Sequence, residues 1–159
     1  MQLTEHFNLK EFTRSSTAKA RGINNTLSPT AEADLSVIRN LKNLCVQVLE
    51  PLREHISRPL VISSGYRSPR LNAAVGGAAN SQHLSGQAAD LKIPSVAEAR
   101  EWMRWIMDNT TFDQLILEHN TSGSHWIHVS CKPNPEDNRH QVISTLLKRV
   151  ESPRWGLIP

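Results

Sequence analysis

The stretch "SQHLSGQAAD", residues 81–90, places His83 and Asp90 seven positions apart with small residues between them. Gly86 lets the backbone turn closely there, because glycine adopts conformations that other residues avoid. The overlapping segment "QAADLKI" (87–93) is typical of a β-strand. The stretch therefore predicts a tight loop that carries a histidine, followed directly by a strand that carries an acid.

A second strand is predicted at "HWIHVSC" (125–131). Side chains alternate along a strand, so apolar residues define the face that packs on the core, here Ile127, Val129 and Cys131. His128 points to the other face. Asp90 does the same in its own strand, because Leu91 and Ile93 take the core face. Two polar groups from separate strands are thus predicted on one face of a sheet.

Capping signals and apolar periodicity predict the other elements. Ser28 and Pro29 indicate the N-terminus of a long helix, in which Pro51 is expected to cause a kink. The predicted helices span residues 29–55, 69–75, 96–109 and 136–150, and further strands span 59–67 and 112–119. The result is an α+β fold, a small and mainly antiparallel sheet with flanking helices.

The chain length of 159 residues predicts a single domain. Residues 1–27 are expected to form an irregular lead that docks through four apolar anchors, Leu3, Phe7, Leu9 and Phe12. Residues 28–131 carry the core motifs, and residues 132–159 are expected to form a C-terminal helix and tail.

Composition excludes several classes of protein. No run of 18 apolar residues is present, and the N-terminus lacks an apolar signal-peptide core, so cytoplasmic synthesis without membrane insertion is expected. The net charge of +3 is scattered, without the aromatic and basic pattern of a nucleic-acid binder. Cys45 and Cys131 are expected to be buried thiols. A soluble monomer is predicted.

Two imidazoles and one carboxylate can form a zinc site. Three protein ligands of this kind leave a fourth position for water, whose pKa zinc lowers to about 7. His83, Asp90 and His128 are the candidate ligands.

The segments "HLSGQAAD", "WIHVS" and "SSGYRSPRLN" resemble motifs of the zinc D-Ala-D-Ala carboxypeptidase family, which includes peptidoglycan carboxypeptidases, dipeptidases and L-Ala-D-Glu endolysins. The family shares its site architecture with hedgehog domains. The resemblance implies a hedgehog-like fold, Zn²⁺ bound by His83, Asp90 and His128, and a peptidoglycan stem peptide as substrate. It also implies that Arg67 holds a substrate carboxylate or carbonyl oxygen and that Ser81 orients the loop or contacts substrate. Tyr66 is assigned to substrate binding, with its side chain packed and its hydroxyl near the edge of the cleft.

The catalytic base is where the sequence departs from the family pattern. Several members have an acid three positions before the second histidine, and here that position is His125. Glu118, at the end of strand 112–119, offers a carboxylate instead. Glu118 is the preferred base, with His125 as the alternative or as a donor to the transition state.

The expected activity is zinc-dependent hydrolysis of stem peptides, by a carboxypeptidase or an endopeptidase. A phage or prophage endolysin, acting on the wall after release from the cytoplasm, fits this expectation. The alternative is an inactive zinc domain that binds cell-wall peptide or a protein partner. The position of Glu118 distinguishes the two, because an inactive domain does not need a base beside its metal.

Overall fold

The structure, a computed structural model, describes residues 1–144 and 151–152. Residues 2–21 form short strands and helices, whereas an irregular lead was predicted for residues 1–27. Asn8 and Glu11 form a capping box at the start of one short helix, Leu9–Thr13. The Ser15 side chain accepts a hydrogen bond from the Ala18 backbone N–H and so caps the next helix, Ser16–Arg21. The elements are β1 (Gln2–Thr4), β2 (Phe7–Asn8), α1 (Leu9–Thr13) and α2 (Ser16–Arg21). The four predicted anchors are all buried.

The long helix is confirmed as one run of three segments. They are α3 (Glu32–Leu44), a π-helical turn (Cys45–Leu49) and α4 (Glu50–Ile56). The run begins later than predicted: its N-cap is Ala31, and Ser28 lies before the helix, where its backbone N–H donates to Asp34 in the first turn. The wider π turn ends two residues before Pro51, which has no backbone N–H to donate. The apolar residues that repeat every three or four positions along this run, Ile38, Leu41, Cys45, Val48 and Leu52, are all buried. Both cysteines of the chain are buried and free.

Two further helices carry the caps that the sequence indicates. Ser68 caps α5 (Pro69–Ala74), and Ser95 caps α6 (Val96–Asn109). Among the described residues, no helix combines the length and apolar character that crossing a bilayer requires.

The main sheet is mixed but largely antiparallel, in agreement with the predicted α+β class. Its strands are β3 (Ile62–Ser64), β4 (Ala88–Leu91), β5 (Gln114–His119), β6 (His125–Ser130), β7 (Gln141–Ser144) and β8 (Glu151–Ser152). Within the described residues the strand order is β3-β4-β6-β5-β7-β8, and only the β5–β7 pair is parallel.

One face of this sheet forms the core and the other carries the site. Ala89, Leu91, Ile127 and Val129 belong to one hydrophobic cluster with residues of α3 and α6. Asp90 and His128 alternate with them and lie on the opposite face, as the pattern predicts.

The predicted helix at residues 136–150 is wrong where it can be compared. Residues Pro135–Asp137 form a 3-10 helix, and β7 replaces the helix over the next apolar residues. Val142 pairs with Leu115 in β5. The pairing between these two strands favours a strand that the local sequence around Val142 does not indicate. Residues 145–150 lie outside the described residues.

Candidate metal centre and active site

His83 lies in a short 3-10 helix, Gln82–Ser85. The Ser81 hydroxyl accepts a hydrogen bond of 3.3 Å from the His83 backbone N–H at the start of this helix. Gly86 ends it with φ of +74°, and a Cβ there would lie 2.6 Å from the carbonyl oxygen of Val37. Only glycine fits this turn, which fixes where the histidine projects.

The imidazole of His83 is fixed in one tautomer. Its Nδ1 lies 2.7 Å from the carbonyl oxygen of Gly65, which only accepts hydrogen bonds, so Nδ1 carries the proton. Nε2 therefore has a free lone pair. This atom is buried and has no hydrogen-bond partner among the described residues. A buried polar atom without a partner is costly, and a metal ion would satisfy it.

Asp90 and His128 meet across β4 and β6, where they are direct register partners. Oδ1 of Asp90 lies 3.1 Å from Nδ1 of His128 and 3.3 Å from Nε2 of His83. The three side chains are buried, and their candidate ligand atoms all lie within 4.8 Å of one another.

This donor set fits a tetrahedral zinc ion. Zinc binds nitrogen and oxygen ligands at about 2.0–2.1 Å, so neighbouring ligands of a tetrahedron lie about 3.3 Å apart. The distances of 3.1 Å and 3.3 Å from Asp90 to the two histidines agree with that spacing. Two imidazoles and a carboxylate also match the ligands of zinc sites that keep one position open.

The charge state of Asp90 supports the same interpretation. Burial raises the pKa of this carboxyl, but the net shift holds it below its usual range, and the hydrogen bond from His128 is the largest lowering contribution. Nη2 of Arg67 lies 3.7 Å from Oδ2 and adds positive charge. The carboxylate is therefore ionised, as a metal ligand has to be.

Arg67 is held rigidly beside the cluster. Its Nη1 donates to Oδ1 of Asn72 at 3.1 Å, and its Nε donates to the Ser64 hydroxyl at 3.3 Å. Gly77 packs closely against this pair: a Cβ there would lie 2.0 Å from Oδ1 of Asn72 and 2.8 Å from Nη1 of Arg67. The guanidinium is thus preorganised for an anionic or carbonyl oxygen.

Glu118 comes from β5 and approaches the cluster from the side. Its Oε1 lies 3.8 Å from Nδ1 of His128. Burial raises the pKa of Glu118, and Asp90 raises it further, whereas the nearby histidines and Arg67 lower it. Its side chain is 34% exposed, so water and substrate can contact the carboxylate. Proton acceptance and donation are the chemistry that this position allows.

These groups open onto one cavity of about 550 Å³. The three candidate ligands, Arg67, Ser81 and Glu118 all line it. These six residues come from separate segments of the sequence, and the fold brings them together in one concave site.

His125 does not lie in this cavity, which corrects its assignment as the alternative base. It alternates with Trp126 and His128 along β6 and so belongs to the opposite face of the strand. Its ring instead lies 5.6 Å from that of His119, its register partner on β5.

Tyr66 also lies outside the main cavity, which corrects its assignment as a substrate contact. Its side chain packs against the hydrophobic core and lines a separate cavity of about 240 Å³. Its backbone N–H donates to the carbonyl oxygen of Phe12 at 2.7 Å, and this bond turns the residue toward the N-terminal segment.

A polar group at the end of the cavity away from Glu118 was not predicted from the sequence. Gln82, Gln114 and Arg139 line this end, and fully buried Asp113 joins Gln82 to Arg139. One signal was available: Asp113 occupies a position in the strand pattern that shares its face with Leu115 and Leu117, where an acid needs a partner.

Residues 5–130 match the family described as Peptidase M15. The chain belongs to the Peptidase M15 family. It is a metallopeptidase of that family, and His83, Asp90 and His128 form its candidate metal site. The resemblance to D-Ala-D-Ala carboxypeptidases is thereby confirmed. A comparison with curated proteins gives no match.

Proposed function

We propose that this Peptidase M15 member is a zinc enzyme that hydrolyses peptide bonds in peptidoglycan stem peptides containing D-residues. One observation carries the proposal: the unpartnered Nε2 of His83 lies against Asp90 and His128 in a cavity that also contains Arg67 and Glu118. The family supplies the substrate class.

His83, Asp90 and His128 would hold the zinc ion. When bound, zinc acts as a Lewis acid toward the substrate carbonyl and makes water more acidic. Glu118 accepts the proton of the water that attacks the carbonyl carbon. It then returns this proton to the nitrogen as the C–N bond breaks, so one water is consumed for each bond cleaved.

Arg67 stabilises negative charge on the substrate. Its guanidinium faces the cavity, and it donates to the substrate carboxylate or to the oxygen on which negative charge develops. Since Asn72 and Ser64 already hold the side chain in place, little reorganisation is needed when substrate binds.

The position of Glu118 also supports an enzyme over an inactive zinc domain. An acidic side chain 3.8 Å from a candidate metal ligand, partly buried with a raised pKa and open to the cavity, is placed to exchange a proton with water or substrate. A purely peptide-binding domain has no need of it.

The test is mass spectrometry of the products released from purified peptidoglycan. We expect new peptide termini, loss of the products with a chelator, and recovery after zinc is added. The fragment masses identify which bond is cut and separate carboxypeptidase from dipeptidase and endopeptidase activity. Release of no peptide by the zinc-loaded protein, or equal release with chelator present, contradicts the proposal.

We further propose that the protein acts on the cell wall as a monomeric endolysin of phage or prophage origin. Stem peptides are located in the wall, so the enzyme has to reach the wall to meet its substrate. Purified protein is then expected to clear suspensions of permeabilised Gram-negative cells but not intact ones. Clearing of neither suspension contradicts this role.

A further inference from the structure

A second cationic group lies in the cavity and has no part in the chemistry above. Nε and Nη2 of Arg139 donate to the two oxygens of Asp113 at 3.0 Å and 2.8 Å, and its backbone N–H donates to Oδ1 at 2.8 Å. Asp113 is fully buried and also accepts from Gln82 at 3.0 Å. The arginine is therefore anchored to the interior of the protein.

The loop that carries Arg139 is itself well fixed. Asn138 is buried, and its Oδ1 accepts from the backbone N–H of Lys132 at 2.8 Å, so the two ends of the loop are joined. The 3-10 helix between them is capped by Asn134. Gln141 then donates its backbone N–H to the Asp113 carbonyl at 2.8 Å. These bonds present Arg139 in one position.

One edge of the guanidinium is left for a ligand. Nε and Nη2 face Asp113, and Nη1 has no partner among the described residues. The side chain is 48% exposed and lines the cavity. Lys132 Nζ lies 3.7 Å from Asp113 as well, so two cations share one carboxylate and the group has a net positive charge.

The sheet register locates this group relative to the candidate metal site. His128 pairs with Ile116, and along β5 Glu118 lies two residues to one side and Gln114 two residues to the other. Two strand residues span about 7 Å. The Arg139 end of the cavity is thus on the opposite side of the metal site from Glu118, about two extended residues away.

We propose that Arg139 forms a second anion subsite, which binds a carboxylate of the peptide substrate one to two residues from the bond that is cut. The inference rests on the proposed function for its substrate class. It concerns a residue beyond the part of the chain that matches the family, residues 5–130. Nη1 offers two N–H donors to the carboxylate, and the pairing with Asp113 keeps them oriented.

The experiment compares binding of stem tetrapeptides that differ by one charge. The probes are L-Ala-γ-D-Glu-L-Lys-D-Ala and two forms of it, in which either the D-Glu α-carboxylate or the C-terminal carboxylate is amidated. Calorimetry with the zinc-loaded Glu118→Gln variant measures binding without turnover. We expect one of the two amidations to weaken binding by about 10- to 100-fold, the effect of losing a charge-assisted hydrogen bond.

The Arg139→Gln substitution should abolish that discrimination, so that the free and amidated peptides bind equally. Since it leaves the buried Asp113 less well paired, the double variant Asp113→Asn/Arg139→Gln is measured alongside. Arg39→Gln removes an exposed charge on α3, outside the cavity, and should retain the discrimination.

The outcomes separate this inference from the proposed function. Discrimination that persists in both Arg139 variants, or that is absent before Arg139 is changed, overturns the subsite. Hydrolysis of peptidoglycan together with either result leaves the proposed function standing. Discrimination that depends on Arg139, in a protein that releases no products, supports the subsite and contradicts the hydrolase.

Discussion

Oε1 of Glu118 lies 3.8 Å from Nδ1 of His128, although the two residues are not register partners. Glu118 pairs with Trp126, and His128 pairs with Ile116, so the contact is a diagonal one across β5 and β6. This diagonal brings a carboxylate beside the candidate metal ligands without making it one of them. The hairpin therefore supplies the acid that the sequence lacks at position 125.

The Glu118→Gln substitution is expected to reduce peptide hydrolysis by about 10²- to 10⁴-fold, the usual contribution of a general base. Bound zinc should remain at one equivalent, because Glu118 is not among the candidate ligands. Steady-state kinetics and elemental analysis measure the two effects.

His125→Ala is the matched control for that variant, since the ring lies on the opposite face of β6. It should retain activity within a few-fold. Our role for Glu118 is wrong if Glu118→Gln loses its zinc, or if His125→Ala is the more damaging change.

The His83→Ala substitution is expected to abolish stoichiometric zinc binding, because it removes the buried Nε2, which has no hydrogen-bond partner within residues 1–144 and 151–152. Zinc should also raise the melting temperature of the unsubstituted protein. A ligand at 1,000 times its Kd stabilises the folded state by about 4 kcal/mol. Inductively coupled plasma mass spectrometry and thermal unfolding test both points. One equivalent of zinc bound to His83→Ala would contradict the assigned site.

The Gly77→Ala substitution is expected to displace Arg67, because the added methyl group would overlap Oδ1 of Asn72 and crowd Nη1 of Arg67. A misplaced binding group can cost roughly 10- to 100-fold in kcat/KM. We expect a loss in this range, mainly through a higher KM, while zinc content is unchanged.

Gly22→Ala serves as the control, since its Cβ meets nothing within 4 Å and the residue does not line the cavity. It can lower the melting temperature through its left-handed backbone, but kcat/KM should be unaffected. Equal kinetics for Gly77→Ala and the unsubstituted protein would show that Arg67 tolerates the change.

The buried Asp113 should make stability depend on pH in the acid range. Burial alone would raise its pKa, but hydrogen bonds from Arg139 and Gln82 outweigh burial and lower the pKa from 3.8 to about 2. A lowered folded-state pKa stabilises the protein above the unfolded value, and this contribution is lost as the pH falls from about 4 toward 2. Urea unfolding at several pH values between 7 and 2 measures the loss.

Asp113→Asn is expected to be less stable at pH 7 and to show a smaller decline between pH 4 and 2. Asp137→Asn, which removes an exposed acid from the same region, should follow the unsubstituted protein. Identical pH profiles for Asp113→Asn and the unsubstituted protein would mean that Asp113 does not titrate in this way.

Local patterns were sufficient for the sheet faces that form the metal site. Alternation alone placed Asp90 and His128 opposite the apolar residues of β4 and β6, because a strand has only two faces. Gly86 indicated the turn before β4, where the backbone is left-handed. The same local reasoning failed at residues 136–150, since the helical pattern could not reveal that Gln141–Ser144 pairs with β5. Strand pairing depends on a neighbour that is distant in sequence.

The sequence by itself determined the α+β class and the helix that packs beneath the sheet, because these follow from residue type and periodicity, and its resemblance to a known family identified the candidate metal ligands. Only the tertiary structure decided that Glu118 lies beside His128 and that His125 points away, since both depend on the register of one hairpin. It also decided the place of Arg139, which Asp113 holds at the cavity from 26 residues away in the chain. Which charged residue pairs with a buried acid depends on tertiary packing, and a local sequence pattern does not indicate it.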